Sequence, residues 1–295
     1  MFLVIGATGT VGRETVNLLL ESGHDVAAVT RDPTAAALPA DAHIVAGDPS
    51  EPHTLTSMPD GVEAVLLSPR AAGSASSELL SQAAARGARR VVVLSAATVQ
   101  HPVGHPRFIE EFKRVEAAAR ESGLSWTFLR CADFAANALA WAPQIRATGV
   151  VRGAHGGAAT SPIHHRDLAE VAVAALTDPA HAGRSHLLTG PQSITQYEKV
   201  RLIGEAVDRT LTFQELAPEQ VRRAMLAQGL PEDVPDRLLG SLADYADSPG
   251  PTTNTVERLL GRPALTFATW AADNSVAFTA RTGTAAPALG GEGRA

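Results

Sequence analysis

Gly6, Gly9 and Gly12 stand three residues apart in the segment FLVIGATGTVGRETVNLLLESG. A short aliphatic run precedes them and apolar residues at three- and four-residue spacing follow, so the segment reads as strand, tight turn and helix. Such a turn aims backbone N–H groups and the positive end of a helix dipole outward, which suits a pyrophosphate. The glycines allow the turn itself, close approach of the phosphates and close packing of helix on strand. With Thr8, Thr10 and Val11 between them, Gly6, Gly9 and Gly12 form an expected dinucleotide-binding loop.

The run HDVAAVT ends at Thr30 and is followed by Arg31, where an NAD site ordinarily carries an acidic residue for the ribose. A guanidinium there would grip a 2′-phosphate with two donors, so NADPH is expected in preference to NADH. The competing reading leaves Arg31 solvated and gives the ribose to Asp32. Arg13 is a second candidate for the same phosphate. Asp48, in VAGDPSE, is expected beside the adenine, with capping of the next helical turn as its alternative. Ser68 and Pro69 end the fourth apolar run, where the backbone would pass the nicotinamide ribose.

These residues need a scaffold that brings strand ends to one edge. Six apolar runs (FLVIG, HDVAAVT, AHIVAG, EAVLLS, RRVVVLSA and LSWTFLR) alternate with helical patterns through the first half. Gly23, Gly87 and Gly123 fit left-handed helix ends. Alternation of this kind gives an α/β fold, a Rossmann-type doubly wound parallel sheet. A smaller C-terminal α/β lobe is expected to follow: a helix near Arg166–Leu176, a strand at SHLLTG, a helix at TQYEKVRLIGEAVDR, a strand at TLTFQEL and three helical segments between Pro218 and Phe278. The expected division is residues 1–152 for nucleotide binding, with later segments completing part of the sheet. Residues 153–280 form the substrate lobe and 281–295 a disordered tail.

The segment LRCADFAANALAW follows the sixth strand, at the edge where such sheets bind ligands. Phe134 and Trp141 are expected to wall a cleft for a flat aromatic substrate. Cys131 reads as a small buried hydrophobe. His164 and His165 are adjacent, so their side chains are expected to point to opposite sides and not to share a metal, with Asp167 as the N-cap of the next helix. The net charge of −6, without a basic block, excludes neither solubility nor small ligands but argues against nucleic acid and anionic membranes. One cysteine leaves no disulfide framework or thiolate metal site, and no metal is expected. No apolar run approaches membrane-spanning length, and the N-terminal one is strand-length, so a cytoplasmic protein is expected. A homodimer is left open.

GATGTVGR, VTRDP, LSAA, VEAAARESGLSWTFLR, DFAAN, PIHHRDLAEVAVAAL, LLTGPQSIT and VERLLGRPALTFATWAADN together resemble the NmrA-like family of atypical short-chain dehydrogenases/reductases, over residues 1–279. The resemblance implies a Rossmann domain, a small lobe and a substrate cleft between them. It covers NADPH-dependent quinone reductases, isoflavone-reductase-like enzymes and non-catalytic NADP sensors of transcription. Some relatives in aromatic polyketide pathways reduce a quinone that oxygen then hydroxylates, which would place the chain in antibiotic biosynthesis. By the same resemblance Asn137 lies near the nicotinamide and Ser95, ending VVVLS, offers a hydroxyl to substrate, or else caps its strand.

Typical members of the superfamily carry Tyr-x-x-x-Lys on the fifth helix. Here Lys113 is present in FIEEFKRVEAAA, but Ile109 stands where the tyrosine would be. The strong proton donor for an ordinary ketone is therefore missing. Hydride addition to a quinone leaves a delocalised phenolate of low basicity, for which a dedicated acid matters less. The expected activity is an NADPH-dependent reductase of a quinone or conjugated aromatic carbonyl, with Lys113, Ser95 and Asn137 as candidate catalytic groups. Lys113 has a plainer reading as an i,i+3 partner of Glu110 or Glu116. The alternative to catalysis is a redox sensor that regulates a protein partner.

Overall fold

The computed structural model describes residues 1–279. The first half runs β1 (Phe2–Ile5), α1 (Thr10–Glu21), β2 (Val26–Thr30), β3 (His43–Ala46), β4 (Ala64–Leu67), α2 (Pro69–Ala72), α3 (Ser76–Ala85), β5 (Arg90–Ala96), α4 (Pro106–Glu121) and β6 (Ser125–Cys131). Then come β7 (Asp133–Phe134), α5 (Ala142–Thr148), β8 (Val150–Gly153), β9 (Ala159–Thr160), β10 (Pro162–Ile163), α6 (His165–Thr177) and β11 (Arg184–Leu188). The remainder is β12 (Ile194–Thr195), α7 (Gln196–Ala206), β13 (Thr212–Glu215), α8 (Pro218–Ala227), α9 (Asp233–Asp247), α10 (Thr255–Leu260) and α11 (Phe267–Asp273).

Among the described residues seven strands form one parallel sheet in the order β11-β6-β5-β4-β1-β2-β3. The direction of winding reverses between β1 and β4, the switch point beside which such sheets bind ligands. Side chains alternate across the sheet as strand geometry requires. Phe2 and Val4 of β1 pack with α1 and α6 on one face, and Leu3 and Ile5 with the α3 and α4 side on the other. All four are buried, which is why the run reads as continuously apolar. Gly23, Gly87 and Gly123 take positive φ after their helices, at 76°, 103° and 77°.

The smaller lobe has its own core. Ile145, Val151, Val200, Ile203, Phe267 and Trp270 are buried together there. The chain passes between the two bodies more than once: α6 lies against α1, β11 adds the outermost strand, and Val256 of α10 joins the larger core. The stretch from Pro218 to Phe278 holds four α-helices rather than three. VERLLGRPALTFATWAADN splits because Gly261 turns left-handed at φ 67°, Pro263 follows, and Thr266 caps a new helix through the Thr269 N–H. The tail expected to be disordered, 281–295, lies outside the described residues. No helix among the described residues is long and apolar enough to cross a membrane.

Gly12 fixes how closely α1 can approach β1. A Cβ there would stand 2.1 Å from the Gly6 carbonyl oxygen. Gly12→Ala is expected to destabilise the fold by about 1–3 kcal/mol, as overpacked sites do. Urea denaturation measures it, and an unchanged midpoint would mean that the turn yields freely.

Candidate functional site

The glycine turn has the geometry a phosphate needs. Gly6 is at φ 93°, and a Cβ on it would collide with Ser68 Cβ at 2.7 Å, so only glycine fits between β1 and β4. The Gly9 N–H returns to the Gly6 carbonyl at 3.0 Å, which closes the turn. Gly9 is the N-cap of α1 and supplies no side-chain acceptor. The first N–H groups of the helix, at Thr10, Val11 and Gly12, have no intrahelical partner by construction. Thr8, Gly9 and Thr10 are exposed, whereas the Val11 side chain is buried, so Val11 would offer a ligand only its backbone.

At the tip of β2, Asp32 is occupied locally. Its Oδ1 accepts the N–H groups of Thr34 and Ala35 and the Thr34 hydroxyl, which together hold its pKa below the usual range. Arg13 donates to the carbonyls of Ala36, at 2.7 Å, and Ala37, so it braces this loop instead of reaching a phosphate. Arg31 is exposed and, among the described residues, has neither ion pair nor hydrogen bond. Its charge reaches Asp48, whose carboxylate takes the N–H and hydroxyl of Ser50 two residues on; it does not cap the helical turn at Pro52–Thr54, whose N-cap is Glu51. Ser68 holds the N-cap position of α2 without a side-chain capping bond, and Pro69 follows in its first turn.

Near the end of β5 and just beyond β7, Ser95 and Asn137 both lean on carboxylates, Glu116 and Asp133, that nothing in the local sequence marks out. Ser95 is buried and donates its hydroxyl to Glu116 at 2.7 Å. Arg130 grips the same carboxylate with two donors, at 2.9 and 2.7 Å, and Arg120 adds a third at 3.2 Å. Burial alone would raise the Glu116 pKa, but Arg130, Ser95 and Arg120 outweigh it and hold Glu116 ionised. Asn137, which is exposed, donates its amide to Asp133 Oδ1 at 2.9 Å. Asp133 Oδ2 accepts from Lys199 Nζ and Thr160 Oγ1, both at 2.7 Å. Burial again pushes the Asp133 pKa up, and Lys199, Thr160 and Asn137 bring it below the usual value.

Lys113 is exposed and pairs with Glu110 at 2.9 Å, while Glu116, its other candidate partner, faces inward. Ile109 is buried at the position of the missing tyrosine. Phe134 packs on the larger core and Trp141 on the smaller one, each half-buried, on either side of the stretch that carries Asn137. Cys131 is buried, which raises its pKa well above the thiol range and leaves it inert.

The histidine pair is a correction. His164 and His165 do not point apart: their rings stack with centroids 4.6 Å apart and planes 20° from parallel. They sit at the start of α6 rather than on a strand. The N-cap is His164, whose Nδ1 accepts the Arg166 N–H, so its Nε2 carries the hydrogen toward Asp273. Asp167 is not the cap; it is buried, accepts the Leu265 N–H at 2.7 Å and pairs with Arg262 at 2.8 Å. Among the described residues no group of three or more His, Cys, Asp or Glu side chains is placed to hold a metal ion.

Residues 6–179 match a family described as NAD(P)H-binding. A (4-alkanoyl-5-oxo-2,5-dihydrofuran-3-yl)methyl phosphate reductase of Streptomyces griseus is 34% identical over 279 residues, covering 94% of this chain and 99% of the relative. An NAD(P)H azoreductase of Xenophilus azovorans is 34% identical over 292 residues, covering 95% and 100%. Among solved structures, an NADPH-dependent quinone oxidoreductase of Escherichia coli has the same fold, with a TM-score of 0.78 at 24% identity over 92% of this chain and 99% of that one.

Removing Lys199 tests what holds Asp133 charged. Lys199→Met leaves the half-buried Asp133 carboxylate without its cation and is expected to cost up to about 3 kcal/mol at neutral pH, the low end for a buried pair. The Asp133 pKa, depressed in the native protein, would then rise above its unfolded value. In the variant the folded state would favour the protonated acid, so the deficit should shrink as the pH falls toward 4–5, about the unfolded range. Denaturation midpoints between neutral and acidic pH measure this, and a deficit that stays constant would contradict it.

Proposed function

Since the chain belongs to the NAD(P)H-binding, NmrA-like class of atypical short-chain dehydrogenases/reductases and is an NAD(P)H-dependent oxidoreductase, we propose that it takes NADPH in preference to NADH and reduces a quinone or comparable conjugated acceptor. The observation that carries this reading is the orientation of Ser95 and Asn137. An ionised carboxylate only accepts hydrogen bonds. Ser95 therefore gives its hydrogen to Glu116, and Asn137 turns its NH2 toward Asp133. What remains free on Ser95 is lone pairs, and on Asn137 a carbonyl oxygen with at most one N–H.

When bound, NADPH would supply the hydride, and the glycine turn would hold it. The α1 N-terminus would hold the pyrophosphate, Arg31 the 2′-phosphate, and Asp48, Ser68 and Pro69 would border the adenine and ribose. Ser95 and Asn137 would accept from ribose or carboxamide hydrogens, and Phe134 and Trp141 would line the acceptor's place. None of these groups is a strong acid at the reacting centre. An ordinary ketone would need one, because its hydride adduct is an alkoxide. A conjugated acceptor leaves a delocalised anion that solvent can protonate. Relatives named for an alkanoyl-oxo-dihydrofuran and for azo compounds fit the same electronic demand. Lys113 can serve the ribose by leaving Glu110, an exchange of small cost since exposed ion pairs are worth under about 1 kcal/mol. The reading includes an aerobic branch in which oxygen hydroxylates the reduced ring as a biosynthetic tailoring step, and it places the protein in the cytoplasm.

The test is NADPH oxidation against naphthoquinones, anthraquinones and azo dyes, in air and without oxygen. Arg31→Ala is expected to raise KM for NADPH tenfold or more, in keeping with about 1.5–3 kcal/mol for hydrogen bonds to a charged group, and to leave NADH unaffected. Lys113→Ala is expected to raise KM for NADPH with kcat kept. Loss of kcat instead would favour an isoflavone-reductase-like mechanism. Oxygen incorporated into product would establish the aerobic branch. Tight NADPH binding with no oxidation of it by any acceptor would return the sensor.

A further inference from the structure

The outer edge of the sheet carries basic side chains that the reduction does not use. β11 is the last strand on that side, and its side chains alternate, so Arg184, His186 and Leu188 share a face. Leu188 packs in the larger core with Val256 of α10, and that helix lies against β11. Where the two elements meet, Arg184, Ser185, His186, Arg258 and Leu259 line an open cavity of about 480 Å3.

Each basic group in this cavity has hydrogen-bonding capacity to spare. Arg184 gives its Nε to the Ala180 carbonyl at 2.9 Å, a tie that steadies the guanidinium and leaves its two terminal nitrogens. Arg258 is exposed, and among the described residues its side chain has neither ion pair nor hydrogen bond. Glu257, its neighbour on α10, forms no ion pair among the described residues either. His186 is buried, and its Nε2 meets His181 Nδ1 at 3.1 Å, which leaves the His186 Nδ1 for a ligand. Burial first, then three basic neighbours, His181, Arg184 and Arg258, push the His186 pKa down to about 4. A second cavity, along α7, is different: Arg201 in its wall is already paired with Glu205, and Asp208 stands in the same wall.

In a chain of net charge −6, two arginines and a histidine with no acid in the cavity wall make a local excess of positive charge that a bound anion relieves. Two guanidinium forks match the oxygens of a dianion. Leu259 adds an apolar wall for an organic part. We propose that Arg184, His186 and Arg258 form a second ligand site, one that binds the phosphoryl group of a small molecule at the outer edge of the sheet. Arg184 opens β11, whereas the glycine turn follows the end of β1, and three strands lie between the two. At ordinary strand spacing that is on the order of 19 Å, so this ligand is separate from the dinucleotide. The site is independent of the reductase reading.

Saturating NADP+ fills the cofactor's own phosphate positions, so calorimetric titration of that complex reads what remains. Inorganic phosphate and phenyl phosphate are the probes, in the whole protein and in Arg184→Gln and Arg258→Gln. The expected result is one equivalent bound, with affinity lower by about fivefold to tenfold in each variant. Either anion bound in this way supports the site: tighter phenyl phosphate assigns it to an ester, and equal affinity to the free ion. Proton NMR of the His186 ring gives a second readout. Its pKa should rise from about 4 when the anion is present, because a neighbouring negative charge favours the imidazolium. Affinity that is the same in both variants, or a His186 titration that does not move, overturns the site. So does the failure of both anions to bind at millimolar concentration.

Discussion

The junction of β7 with the smaller lobe depends on a carboxylate that stays charged although it is half-buried. Asp133 follows β6 at the sheet edge, and Lys199, on α7 of the smaller lobe, is buried beside it. Taking either ion out of water costs several kcal/mol, which is offset only when the geometry is good and the remaining lone pairs are used. Here they are used: Thr160 and Asn137 complete the carboxylate's partners. One residue thereby ties together β7, β9, α7 and the stretch that bears Asn137. Apolar contacts in the lobe core could slide by a fraction of an ångström at small cost. A charged hydrogen bond of 2.7 Å cannot, so it fixes the spacing of β7 and α7.

The Glu116 cluster repeats this logic on the other side. Arg130 keeps a buried glutamate ionised, and the glutamate fixes the rotamer of Ser95. In both clusters a cation from a neighbouring element orients a carboxylate, which in turn orients a neutral side chain at the strand ends. Ser95 is left with lone pairs, and Asn137 with its carbonyl oxygen and at most one N–H. A scaffold arranged in this way favours alignment over proton supply. That fits a hydride acceptor whose product anion is already stable, because alignment accounts for much of the barrier in such a transfer.

The glycine turn, the six strand runs and the helix-ending glycines are legible in the sequence because each is set within a short window. The steric demand on Gly12 acts across a few residues, and two-sided burial writes itself as unbroken apolar runs. The two carboxylate clusters are not legible in that way. Lys199 and Asp133 are 66 positions apart, and no periodicity connects them. The one available signal is compositional, since Lys199 is one of only two lysines in the chain. Glu116 is hidden for another reason. In FIEEFKRVEAAA it looks like one more surface acid, and only its place on the inward side of α4 makes it a partner of β5 and β6. The histidine pair misleads because alternation holds for strands, whereas a helix cap and the residue after it can turn their rings to the same side.

The tip of β2 is where local chemistry and ligand choice separate most clearly. Three charged residues lie close together in sequence or space: Arg13, Arg31 and Asp32. Asp32 gives one of its two carboxylate oxygens to its own turn, and Arg13 donates to the carbonyls of Ala36 and Ala37. Both therefore make the loop rigid. A rigid loop lowers the entropy that a ligand would otherwise lose in ordering it. Arg31, exposed at the end of that loop, is the cation left over, and Asp48 is near enough to feel its charge but is bound to Ser50. If Asp32 were to serve a ribose through the oxygen it now gives to Thr34 and Ala35, it would have to abandon three hydrogen bonds and loosen the segment that presents Arg31. The loop geometry thus holds one Asp32 oxygen on its own turn and leaves Arg31 as the guanidinium there that, among the described residues, makes no hydrogen bond.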